Sequence, residues 1–158
     1  MAEQRRVVKV DAAEFLDTLE NVTQSHVRLI QSLRSSLVRV RRDTTDIEMQ
    51  RSVLAGLRRL RVLRKRIADH LGGLKVDAES LDIELVGPQE LIENVATLSE
   101  YMLIVGIPAE EEVLKRTLLL ARRGAELLNQ HAGDIQEDIE QLKKLSKLLE
   151  IIVEKYYE

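Results

Sequence analysis

The chain has 158 residues, of which 44% are hydrophobic and 32% charged, and its formal net charge is −3. This length suits one domain with a single core, and 7 Gly and 2 Pro are too few for a sandwich of short strands. The absence of Cys excludes disulfides and thiolate metal sites, and no apolar run approaches the roughly 20 residues of a membrane span. We therefore expect an intracellular, soluble, all-α domain over residues 1–158, an elongated up-down bundle of about five helices.

The first predicted helix is the longest. Apolar residues recur at alternating steps of three and four along the first forty residues, as in a helix with one buried face. Asp11 and Glu14 have the spacing of a capping box, so we expect the helix to begin at Asp11 and end near Asp43. His26 is the one polar residue in the apolar row. We expect a neutral, hydrogen-bonded packing residue, so that His26→Leu would be neutral or stabilising.

A second helix is predicted after a very short turn. Thr45 and Glu48 have the spacing of another capping box, and Gly72-Gly73 ends the apolar row that follows. Two long helices joined by so short a connection must run antiparallel. Residues 11–72 are therefore expected to form a helical hairpin.

The next segment, residues 73–87, lacks the helical period. Leu81, Ile83 and Leu85 alternate with other residues as in an extended strand. We identify no second strand to pair with it, and a single strand is not stable by itself. The sequence therefore predicts a packed crossover without a sheet.

Residues 88–158 are expected to form an acidic three-helix part. The predicted helix starts are Pro88, Pro108 and the Asp134/Glu137 capping box, and the predicted breaks are Gly106 and His131–Gly133. Proline is tolerated in a first turn because the N–H that it lacks has no partner there. Three consecutive glutamates, Glu110 to Glu112, would then complement the positive end of the helix dipole.

Charge is segregated along the chain. Residues 28–66 hold twelve basic and three acidic residues, a net charge of +9, so the remainder carries −12. Eleven of the twelve are arginines, whose guanidinium forks suit phosphate or carboxylate groups. Helical spacing places most of them opposite the apolar rows. The candidate polyanion-binding residues are Arg28, Arg39, Arg51, Arg58, Arg59, Arg61, Lys65 and Arg66.

Arg64 falls on the apolar side of the second helix and is expected to pair with an acidic residue of the later helices. Arg64 and His70 also have a spacing that resembles the Arg-x4–6-His pattern of the helical HEPN ribonucleases. That resemblance would imply that both side chains act on an RNA phosphodiester.

Other catalytic signatures are absent. The chain has no phosphate loop, no dinucleotide-binding turn, no nucleophile elbow and no Glu-x-x-His pair for metals. We therefore predict that it is not an enzyme and that it has no cofactor and no metal ion.

These observations predict a structural or assembly protein whose Arg-rich hairpin docks a polyanion. Nucleic acid is favoured over lipid headgroups, and its backbone would be read because the basic stretch has no aromatic residue for base stacking. The opposite charges of the two halves also favour head-to-tail stacking of copies, so that a homo-oligomer would form a coat or scaffold on the nucleic acid. One alternative is a protein–protein adaptor whose arginines face an acidic protein surface. The other is a HEPN-like ribonuclease.

Overall fold

The structure, a computed structural model, describes residues 6–157. This part of the chain is mostly helical, which confirms the all-α class, and it also contains one small parallel sheet. The elements are β1 (Arg6–Asp11), α1 (Ala12–Arg42), α2 (Ile47–His70), β2 (Leu81–Val86), α3 (Gln89–Tyr101), α4 (Ile107–Arg122), α5 (Glu126–Gln130) and α6 (Ala132–Tyr156). Helix α1 packs against α2, α3 and α4, and α6 closes the bundle against α3 and α4.

The predicted hairpin is present, with one change at its turn. Asp11 caps α1 as expected, because its carboxylate accepts hydrogen bonds from the N–H groups of Ala13 and Glu14. The cap of α2 is Asp46 rather than Thr45. Thr45 instead donates to the Asp43 carboxylate from its hydroxyl and its backbone N–H, and these bonds lower the pKa of Asp43.

The expected break at Gly106 is wrong. The chain forms one continuous helix over residues 89–122, in which Met102–Gly106 is a π-helical turn and the Ile107 N–H donates to the carbonyl of Met102. A π turn widens the helix locally. Pro108, which lacks an N–H and would crowd the preceding turn of a regular helix, therefore sits inside a continuous helix rather than at its start.

The crossover prediction is also wrong, because the extended segment has a partner. Strand β2 pairs in parallel with β1, with Arg6 opposite Leu81 and Asp11 opposite Val86. The inward side chains of β2 are buried. On the outer edge of β2, the Tyr156 hydroxyl accepts the N–H of Leu85 at 3.0 Å. Helix α6 therefore covers one edge of the sheet.

The end of α4 and the start of α6 differ from the prediction. Helix α4 ends at Arg122, well before the expected break at His131, and Gly124 turns the chain with φ +110°. Helix α6 begins at Ala132, so Asp134 lies in its first turn and is not its cap. Glu137 therefore lies inside α6 and forms no capping box.

Gln50 joins this region to the hairpin turn. Its fully buried side chain donates to the carbonyl of Thr44 at 2.8 Å and accepts from the N–H groups of Leu127 and Leu128 at 2.9 and 3.2 Å. The Gln50 amide thus provides hydrogen-bond partners for backbone groups at the start of α5 and in the turn before α2.

We predict that Gln50→Leu destabilises the chain by about 2–3 kcal/mol, because buried N–H groups lose their acceptor. Urea unfolding followed by circular dichroism would measure the change. Gln130→Leu, at an exposed position, is the matched control and should change stability by less than about 0.5 kcal/mol. Equal stabilities of the two variants would contradict this account of Gln50.

Candidate anion-binding groove of the helical hairpin

A buried pair of carboxylates binds two arginines of the hairpin, Arg64, which is buried, and Arg61, which is partly exposed. Arg64 is only 3% exposed, and it donates to Glu110 at 2.7 Å and to Asp138 at 2.6 Å. Each of these carboxylates is also buried. The expectation that Arg64 pairs with an acidic residue of a later helix is confirmed, and the pairing ties α2 to both α4 and α6.

His26 completes the network from α1. Its Nε2 lies 2.7 Å from Oε1 of Glu110, whose other oxygen accepts from Arg64. Glu110 therefore does not serve a helix start, as the sequence predicted, but holds α1, α2 and α4 together. His26 is a hydrogen-bonded packing residue, as expected. Since its partner is a buried carboxylate, the expected tolerance of His26→Leu no longer follows.

Arg61 is the second internal partner. Its Nε and Nη2 donate to the two oxygens of Asp138 at 2.7 and 2.8 Å, a two-pronged pair. The hydrogen bond to Asp138 raises the pKa of the Arg61 guanidinium. Arg61 was predicted to face a polyanion, but its hydrogen-bonding edge is directed toward α6. Reversing its charge would disturb the core as well as the surface.

The remaining predicted residues lie on the outside of the hairpin. Two of them have local partners, because Arg51 pairs with Glu48 at 2.8 Å and Lys65 with Asp69 at 2.9 Å. Arg28, Arg39, Arg58, Arg59 and Arg66 are exposed, and none of them has a carboxylate within 4.0 Å among residues 6–157.

Two adjoining depressions form a groove between α1 and α2, which we call the hairpin groove. Their volumes are about 520 and 390 Å³, and they share Leu29 and Arg59. The polar side chains along the groove are three arginines and five serines, with no acidic residue: Arg28, Arg39, Arg59, Ser25, Ser32, Ser35, Ser36 and Ser52. The hairpin groove therefore presents hydrogen-bond donors and positive charge together.

Helical spacing explains the arrangement. Arg28 and Arg39 are eleven residues apart, three turns of α1 or about 16 Å, and so lie on one side of it. Arg59 faces them from α2. Gly56 permits close approach of the two helices, because Leu33 occupies the space where a Cβ would lie, 2.6 Å away. The serines were not predicted, although the steps of seven from Ser25 to Ser32 and of three and four from Ser32 to Ser35 and Ser36 place them on this side of α1.

The structure separates the two residues of the HEPN-like pattern. Arg64 is buried among carboxylates, whereas His70 is half-buried and its Nε2 lies 2.9 Å from the Thr18 hydroxyl. The His70 ring also packs against Phe15, with centroids 5.3 Å apart. This placement gives the ribonuclease alternative no support.

Within residues 6–157, no group of three or more His, Asp or Glu side chains is placed to hold a metal ion. Helix 89–122 contains an 18-residue window with mean hydropathy 1.2, long and apolar enough to cross a membrane, and 33% of that window is buried. The helix also carries Glu110 of the ion-pair network, and it packs against α1 and α6. This packing is consistent with a soluble protein.

The comparisons with known proteins found no match. No family model, no curated protein and no solved structure matches this chain.

We predict that Arg64→Met costs about 3–5 kcal/mol, because two buried carboxylates lose a charged partner. Arg58→Met, an exposed change of the same type, should cost less than about 0.5 kcal/mol. Chemical denaturation of both variants measures the difference. A loss for Arg64→Met no larger than that of the control would show that the network does not stabilise the fold.

For His26→Leu we predict a loss of about 1–3 kcal/mol, since one oxygen of Glu110 becomes a buried acceptor without a donor. His131→Leu removes an imidazole from a more exposed position and should be near neutral. Thermal unfolding at matched concentration compares the two. A stabilised His26→Leu variant would favour the original sequence-based expectation.

Proposed function

We propose that this chain is a non-enzymatic structural or assembly protein whose hairpin groove docks the phosphate backbone of a nucleic acid. One observation carries the proposal. Three arginines line the hairpin groove without a carboxylate partner among the described residues, beside serine hydroxyls and with no acidic side chain. Arg61 and Arg64 are neutralised by carboxylates of the bundle, whereas these three arginines remain available to an external anion.

The chemistry of the groove fits phosphate. A guanidinium donates two parallel hydrogen bonds to a phosphate, and serine hydroxyls donate to phosphate oxygens. Each phosphate that is neutralised also releases condensed counterions, which favours binding at low salt. Arg66 lies two turns along α2 from Arg59 and extends the basic row beyond the groove.

The width of the hairpin favours contact with the backbone over reading of bases. One α-helix with its side chains is about 10–12 Å across and fills the major groove of DNA, which is about 12 Å wide. Two helices packed side by side at about 8–10 Å present a face near 20 Å wide, which cannot enter. The aromatic residue of the hairpin, Phe15, is fully buried, so bases have no stacking partner there.

An acidic protein surface is the second candidate partner. Val62, 59% exposed, and Leu29 lie in the hairpin groove between Arg28 and Arg59. An amphipathic acidic helix would cover these apolar side chains and pair with the arginines, as expected for an adaptor.

The test is the triple variant Arg28→Glu, Arg39→Glu and Arg59→Glu, measured for binding to duplex DNA across a salt titration. Binding of the unmodified chain should fall with salt at a log–log slope of about −0.9 for each phosphate contact, and the triple variant should lose about three contacts. Fluorescence anisotropy with a labelled duplex measures both slopes.

The matched control reverses three exposed lysines of α6, Lys143, Lys144 and Lys147, to Glu, which makes the same change in net charge. This variant should bind more tightly than the arginine variant. Equal losses in both would indicate an effect of net charge alone, and failure of the unmodified chain to bind duplex DNA at low salt would favour the adaptor.

A further inference from the structure

Helix α4 carries an outward surface whose charged residues lie at equal distances on the two sides of its centre, with acids on one side and bases on the other. Six side chains line a surface depression of about 470 Å³ along it: Pro108, Glu111, Glu112, Lys115, Arg116 and Leu119. We call this set the α4 stripe. The order along the helix is apolar, two acids, two bases, apolar, with the centre between residues 113 and 114.

A surface with this order is complementary to itself when two copies run antiparallel. A twofold axis through the centre places the acidic pair of each copy opposite the basic pair of the other, and Pro108 opposite Leu119. Opposite charges of the stripe then meet twice, and no like charges of the stripe face each other. In a parallel arrangement the acidic pairs would face each other, so the charges also specify the direction.

Much of the α4 stripe is exposed, and the one residue outside α4 that pairs with it in the described chain is Arg34 of α1, which reaches Glu112. Leu119 is 43% exposed, and Ile104, about one turn before Pro108, is 60% exposed. Within one chain, Glu111 already pairs with Lys115 at 2.7 Å, and these exposed side chains can exchange to a partner without breaking a buried bond.

The neighbouring surface adds area to such a contact. Arg34 of α1 lies 3.7 Å from Glu112, and Val38, one turn further along α1, is 39% exposed. A specific interface buries at least about 1,000–1,200 Å² in total, which is more than one pair of helix ridges provides. Ile104 and Val105 are exposed beyond the Pro108 end of the stripe, where the same twofold axis places them opposite Arg123 and Arg122 of the second copy, whose aliphatic stems can cover them.

We propose that a second copy of this chain docks on the α4 stripe to form an antiparallel, twofold-symmetric homodimer. The interface is closed, since each copy uses its stripe once, and it requires no nucleic acid. It is independent of the hairpin groove, so the failure of either proposal leaves the other intact.

A charge-swap experiment tests this interface. The acidic variant is Lys115→Glu with Arg116→Glu, and the basic variant is Glu111→Lys with Glu112→Lys. Each variant alone should dimerise at least tenfold more weakly than the unmodified chain, because like charges then meet across the twofold axis. An equimolar mixture of the two should form a heterodimer, since each acidic stripe then faces a basic one. Sedimentation velocity at low ionic strength, without nucleic acid, measures the unmodified chain, each variant and the mixture.

The control is Glu137→Lys with Glu140→Lys, two exposed acids of α6, which should leave dimerisation unchanged. The proposal is overturned if the unmodified chain is a monomer at ~100 µM, where an interface with a Kd of about 10 µM is mostly dimeric. It is also overturned if either swap variant dimerises as well as the unmodified chain, or if the mixture does not associate. Should a swap variant fail to fold, Leu119→Asp decides: a folded monomer supports the interface and a folded dimer overturns it.

Discussion

The buried guanidinium of Arg64 is the constraint on which the arrangement of the helices depends. A charge removed from water must be paired and hydrogen-bonded, and Glu110 and Asp138 provide this from α4 and α6. His26 extends the same requirement to α1. Apolar rows of leucine and isoleucine can pack at several relative rotations, whereas these ion pairs require Arg64 to face both Glu110 and Asp138. We therefore regard it as a determinant of which faces of α1, α2, α4 and α6 meet, in addition to its effect on stability.

The same network determines which charges remain on the surface. The basic stretch has a net charge of +9, but two of its arginines are neutralised inside the bundle by carboxylates of the acidic part. Charge segregation along the sequence is thus partly an internal pairing and partly a surface property. The arginines of the hairpin groove belong to the surface charge, because they lie on the side of α1 and α2 away from Glu110 and Asp138.

The sequence predicted what depends on local pattern and missed what depends on distant partners. The apolar rows and the Asp11 cap are local, and both are confirmed. Strand β1 is six residues long and pairs with residues about 75 positions away, so no local signal identifies its partner. Gly106 and Pro108 are ordinary signs of a helix break, and only the π turn reconciles them with a continuous helix. In the groove, helical spacing placed the arginines outside but could not show that Arg61 turns toward Asp138.

Glu110 to Glu112 show that the position of a glutamate on the helix, rather than its residue type, decides whether its charge is buried in the core or exposed on the surface. Successive residues of an α-helix are about 100° apart, so Glu112 points to nearly the opposite side from Glu110. Once the Arg64 network fixes Glu110 inward, Glu112 must face solvent, and Lys115 and Leu119 follow it on the same side. The rotation of α4 about its axis that buries the Glu110 carboxylate therefore also places the α4 stripe on the outside. A dimer formed through that stripe would carry two hairpin grooves, and a polyanion that reached both would bind with the larger effective affinity of a divalent ligand.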